Sequence, residues 1–197
     1  MASANNARAK LNQHFVSGWI EIFAAPKALL SHVEWSLERA LDCKLQITWS
    51  TQPLTPGSFQ TRLRFSAPSG RAGEIATALA GWNYLRFDVC EMGGRDSDGA
   101  RYLGTPSLGL HHATVGKNGD ILISENQIGA ILESCYKRGL DFEEEFAKAL
   151  GVEWEAELAP YREGQESMRW LHATGQLLKR NVSVQAAISR RLQNCLC

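Results

Sequence analysis

The stretch Phe59-Gln60-Thr61-Arg62-Leu63-Arg64-Phe65 decides the fold. Phe59, Thr61, Leu63 and Phe65 alternate with Gln60, Arg62 and Arg64. That is the period of two that sends successive side chains to opposite faces of a strand. Working outward, residues 16–24 alternate as well, with Gly18, Ile20 and Ile22 on one face and Trp19, Glu21 and Phe23 on the other. Leu45, Ile47 and Trp49 predict a second half-buried strand, and Leu85, Phe87 and Val89, set against Arg86 and Asp88, predict a fourth. A helix opens at Pro26, whose missing N–H costs nothing in a first turn, and carries Leu29, Leu30, Val33, Leu37 and Leu41 on one stripe. A shorter helix over residues 72–80 carries Ile75 and Leu79. The order βαββαβ predicts an α+β fold, a ferredoxin-like sandwich with both helices on one face of an antiparallel sheet. In that order the first and third strands are central neighbours.

The remainder reads as a C-terminal β-hairpin and a helical extension. Residues 91–99 form a loop that marks an internal boundary. Lys117-Asn118-Gly119-Asp120 predicts a type I′ hairpin turn joining residues 108–115 to 121–123. Ser124 with Gln127 is a capping box for a helix through Ile128, Ile131, Leu132 and Cys135. Asp141 with Glu144 starts another, carrying Phe142, Phe146, Leu150, Trp154 and Leu158 in one run that bends at Gly151 and stops at Pro160. Four segments result: a loose arm over 1–14, a ferredoxin-like unit over 15–91, a hairpin-plus-helices unit over 100–173 packed on it, and a basic tail or helix over 176–197.

Composition excludes several classes. The chain has 197 residues, 44% hydrophobic and 21% charged, with zero net charge, so no global field holds it on nucleic acid or an anionic membrane. Charge is uneven: the first fifteen residues carry Arg8 and Lys10, the last twenty-two carry Lys179, Arg180, Arg190 and Arg191 without an acid, and 143–157 is acidic. No segment has the apolar length of a membrane span or signal peptide. The cysteines, Cys43, Cys90, Cys135, Cys195 and Cys197, fit neither a disulfide framework nor a zinc pattern, and predict free thiols in a reducing cytoplasm. No phosphate loop, dinucleotide fingerprint or nucleophile elbow is present, and Asp96-Ser97-Asp98-Gly99 lacks the later ligands of a calcium loop. No cofactor and no metal is expected.

Two candidate sites emerge. The polar sheet face brings Trp19 and Phe23 near Arg62, Arg64 and Arg86, an apolar floor with anion contacts. It suits a small anionic ligand; cover by the C-terminal unit or by a second copy of the chain is the alternative, and RNA stacking a third. The second candidate is an acid/base pool of His32, Glu34, His111, His112 and His172. His111 and His112 are adjacent on a strand and so point to opposite faces. Trp82 and Trp170 border a turn and an arginine and are expected as pocket walls.

Several strings taken together resemble one family: Ala25-Pro26 with His32-Val33-Glu34-Trp35, Gly81-Trp82 with Leu85-Arg86-Phe87, Thr105-Pro106 with Leu108-Gly109, Gly119-Asp120-Ile121, and Arg169-Trp170-Leu171-His172. From about residue 16 to 173 the chain resembles an uncharacterised domain-of-unknown-function family of actinobacterial proteins. That resemblance implies a bacterial cytoplasmic protein and carries no activity, cofactor or catalytic residue. The expected function is a non-enzymatic binding or regulatory domain for a small anionic ligand or a protein partner, as a homodimer in one form of it. The alternatives are a small enzyme using a histidine–carboxylate pair and weak nucleic-acid binding through the basic ends.

Overall fold

The alternating stretch 59–65 lies within β3 (Ser58–Pro68), and its apolar side chains face inward as the alternation requires. β3 pairs antiparallel with β1 (Phe15–Pro26), in the register Gly18 to Phe65, Ile20 to Leu63 and Ile22 to Thr61. On its other edge β1 pairs with β4 (Arg86–Glu91). With β2 (Ser50–Thr51), β5 (Gly99–Thr105), β6 (Gly109–Val115) and β7 (Ile121–Leu122), these form one antiparallel sheet in the order β2-β3-β1-β4-β5-β6-β7. The computed structural model describes residues 15–94 and 97–162. The chain divides into two compact units, 1–159 and 160–197, and the sheet lies in the first.

Helices α1 (Leu30–Leu41) and α2 (Arg71–Ala80) pack on one face of the sheet. Ile20, Ile22, Val33, Leu37, Phe65, Ile75, Leu79, Phe87 and Val89 form the core between them. Each such side chain contributes roughly 1.5–3 kcal/mol of transfer free energy. Two aromatic rings lie over cross-strand glycines. A Cβ on Gly18 would meet Phe65 Cζ at 2.4 Å, and one on Gly104 would meet Phe87 Cε1 at 2.2 Å. The α2 N-terminus is capped from a distant strand: buried Glu91 accepts from the Gly70 and Ala72 N–H groups, at 2.7 and 3.0 Å.

Several local expectations are corrected. Residues 44–49 form no ladder, although Leu45, Ile47 and Trp49 pack against the core; only Ser50 and Thr51 pair with β3. Their alternation records burial and not hydrogen bonding. The loop 92–98 joins two sheet neighbours, because β4 pairs directly with β5, a strand whose sequence shows no clean alternation. The Asn118-Gly119 turn is not type I′: Gly119 is left-handed at φ 87°, while Asn118 is not. Gly116 N–H donates to Asp120 O and Gly119 N–H to Gly116 O, closing a three-residue loop of the bulged hairpin type.

The capping box at Ser124 and Gln127 is present and starts α3 (Glu125–Arg138). Asp141 caps α4 (Phe142–Leu150), which stops at Gly151, left-handed at φ 73°; a separate helix, α5, covers 152–162. The single run expected over this region is thus two helices. The break aims residues 152–159 at the sheet face opposite α1 and α2. There Trp154 Nε1 donates to Gly109 O at 3.1 Å and Leu158 is fully buried. Among the described residues no helix is long and apolar enough to cross a membrane.

Candidate functional site

The sheet face opposite α1 and α2 is divided. Its β4–β6 half lies under α5: Arg86 Nε donates to Glu157 Oε1 at 3.2 Å, and Arg101 bridges Asp88 and Glu155 at 2.7 and 2.8 Å. Arg86, expected as an anion contact, is thereby engaged within the fold. Phe23 sits at a register shift in β1, is fully buried, and its carbonyl accepts from Gln52 Nε2 at 2.7 Å, so it offers no open floor. The β1–β3 half stays open. Trp19 lies directly across from Arg64, and Arg62 Nε stands 4.0 Å from buried Glu21. Arg62 and Arg64 are both exposed.

Burial shifts the titration of this face. The Cys90 thiol is pushed up to about 12, first by desolvation and then by the Asp88 charge. The Arg101 guanidinium is held in its charged form by Asp88 and Glu155 against the cost of burial.

The histidines disperse. His32 on α1 stacks on Trp82, with ring centres 5.6 Å apart. His112 stacks on Tyr102 at 4.6 Å, and His111 lies 4.9 Å from Trp154 under α5, so the two adjacent histidines do take opposite faces. The His111 Nε2 atom is buried without a hydrogen-bond partner. Desolvation, followed by His112 and Arg101, lowers its pKa against an opposing pull from Glu155. Glu34 accepts from Trp49 Nε1 at 2.6 Å. The described part of the acid/base pool therefore meets aromatic rings. His172, Trp170, the 1–14 arm and the basic tail over 176–197 lie outside the described residues. No group of three or more His, Cys, Asp or Glu among the described residues is arranged to hold a metal.

A concavity lies on the helical side. A groove of about 430 Å³ runs between α1 and α2, lined by Trp35, Ser36, Arg39, Glu74, Ala78 and Trp82 among others. Trp35 and Arg39 are one turn apart on α1, and the guanidinium lies 5.5 Å from the Trp35 ring centre. Trp35 is 58% exposed, a large aromatic surface left in water at the groove wall. Glu74 is paired with Arg71, whereas Arg39 makes no ion pair among the described residues. Trp82, read from the sequence as a pocket wall, lines this groove; Trp35 and Arg39 were not read as a site. Their four-residue spacing was the available signal, but only the packing of α2 beside α1 makes that face concave.

The family model described as "Protein of unknown function (DUF3145)" matches residues 19–173. Searches of curated proteins and of solved structures found no match.

Proposed function

The chain belongs to the DUF3145 family of unknown function, and we propose that it is a non-enzymatic binding domain whose groove between α1 and α2 takes a small planar anion. The observation that carries this reading is Arg39 stacked on exposed Trp35 in a groove that Trp82 also walls. Two indole faces supply apolar contact to a flat ring, and the guanidinium supplies the countercharge to a carboxylate. The volume fits a small ligand, which typically occupies about 300–1,000 Å³. The packing of His32, His111 and His112 each against an aromatic ring supports a binding role over acid/base catalysis. The order β2-β3-β1-β4, with both helices on one face, supports a ferredoxin-like reading of this half. Free thiols at Cys43, Cys90 and Cys135 support a reducing cytoplasm.

A second reading rests on the open half of the sheet, where exposed Arg64 faces Trp19 across the ladder beside Arg62. One experiment separates the two. The full chain is melted with 2-naphthoate and indole-3-acetate, and with the neutral amide of each. Selective binding to the native state raises the melting temperature. The groove reading expects a shift with the carboxylates alone, lost in Arg39→Gln and Trp35→Ala and kept in Arg62→Gln/Arg64→Gln. Loss only in the sheet-face pair moves the ligand to the sheet. Equal shifts from acids and amides, or none, overturn the anion reading.

A further inference from the structure

We infer that the ligand of the α1–α2 groove is an aromatic α-amino acid, with its carboxylate on Arg39 and its ammonium on Asp42. This rests on the groove reading and adds to it a second charge on the ligand. The observation behind it is a neighbouring concavity of about 400 Å³ at the C-terminal end of α1, lined by Trp35, Glu38, Arg39, Asp42, Cys43 and Lys44. Trp35 and Arg39 line both hollows, so the two adjoin at that pair.

Charge pairing singles out two groups. The charged side chains lining the two hollows are Glu38, Arg39, Asp42, Lys44 and Glu74. Glu38 accepts from Lys44 Nζ at 2.7 Å and from the Leu45 N–H at 3.2 Å. Glu74 is taken by Arg71. Arg39 and Asp42, one cation and one anion, are left without an ion pair among the described residues. They stand three residues apart, about 4.5 Å along the helix axis, and do not pair with each other. An α-amino acid carries both of its charged groups on one carbon, and a group of that span bridges such an interval. A planar side chain on the same carbon then lies toward the Trp35 indole one turn back, in the hollow that Trp82 also walls.

Asp42 sets the ligand class. Its backbone is left-handed at φ 52°, at the position where α3 and α4 end on Gly139 and Gly151. Glycine takes that conformation with the least strain, so the turn itself has no need of a carboxylate. An aryl carboxylate without an amine meets Asp42 as a like charge beside Arg39. A zwitterion meets a countercharge at both.

Titration calorimetry of the full chain with L-tryptophan, indole-3-propionate and tryptamine tests this. Indole-3-propionate lacks the ammonium, and tryptamine lacks the carboxylate. L-tryptophan should bind about three- to fivefold more tightly than indole-3-propionate, the range of an exposed ion pair. It should also bind more tightly than tryptamine. Asp42→Asn should erase the advantage over indole-3-propionate, and should leave indole-3-propionate itself bound no more weakly. Asparagine tolerates the left-handed conformation, so this variant keeps the helix end. Arg39→Gln should weaken both carboxylates. Indole-3-propionate binding as tightly as L-tryptophan, or an advantage that persists in Asp42→Asn, overturns the inference and leaves the groove reading standing. Binding of none of the three ligands overturns both.

Discussion

Arg101 clasps Asp88 through two parallel hydrogen bonds, Nε to Oδ1 at 3.1 Å and Nη2 to Oδ2 at 2.7 Å. Asp88 is only 2% exposed, so the fork stands where water would otherwise meet its carboxylate. Removing one partner of a buried pair leaves an uncompensated charge, a loss of roughly 3–5 kcal/mol. Arg101→Ala should therefore lower the unfolding free energy by about 3 kcal/mol in urea titrations. The double variant Arg101→Met/Asp88→Leu should recover most of it. Equal destabilisation by the single and double variants would show that shape, and not charge, sets the cost.

The same buried face makes Cys90 inert. With its thiol pushed up to about 12 by burial and by Asp88, almost no thiolate exists at pH 8.5. Peptide mapping after iodoacetamide treatment at that pH should find exposed Cys43 alkylated and Cys90 unmodified. Cys90 should react once urea unfolds the chain.

His111 predicts a pH dependence of definite sign. Its folded pKa lies below the ordinary value of 6.5, so the unfolded chain binds the proton first. The stabilisation from keeping it neutral is complete above pH 6.5 and is lost as pH falls through that value toward the folded one. Around it stand Arg101 on β5, His112 on β6 and Glu155 on α5. His111→Phe should flatten the part of the stability profile just below pH 6.5 relative to wild type. An unchanged difference between the two profiles across that interval would refute the assignment.

Glu91 holds three donors at the start of α2: the N–H groups of Gly70 and Ala72 and the Ser69 hydroxyl, the last at 3.1 Å. Glu91→Gln puts an amide donor against one of these N–H groups. A buried donor left unsatisfied costs about 1–3 kcal/mol, and the melting temperature should fall accordingly. Hydrogen exchange should localise the loss to residues 70–73 first.

Gly18→Ala drives a methyl to within 2.3 Å of the Cys90 carbonyl oxygen and 2.4 Å of the Phe65 ring. Overpacking of this kind costs about 1–3 kcal/mol. Phe65→Leu, itself destabilising, should cost less in the Gly18→Ala background than in wild type. That non-additivity is the measurable sign of a shared contact.

Much of the fold was legible because the period of two is written in contrasting side chains. Ile20, Leu63 and Val89 against Glu21, Arg62 and Asp88 announce strands and their inward faces. The α3 cap was legible for a similar reason, since Ser124 and Gln127 act within one turn. β5 was not, because Ala100-Arg101-Tyr102-Leu103-Gly104 offers no polar–apolar contrast. Its two faces are covered by different partners, with Tyr102 toward α2 and Arg101 toward α5. The candidate site was less legible. Trp35 and Arg39 share a helix face in any reading, but a groove needs a second wall, and that wall is α2.

By itself the amino-acid sequence determined the local elements, the inward faces of β1, β3 and β4, and the opposed directions of His111 and His112, because backbone geometry converts spacing into direction over a few residues. Only the tertiary structure decided that Arg86 is bound by Glu157, that Phe23 is sealed in, and that α5 turns at Gly151 to cover half the sheet. Those outcomes join residues as far as seventy-one positions apart, as Arg86 is from Glu157, and no local periodicity encodes such a pairing. They arise from burying apolar surface and matching charge across the whole first unit at once.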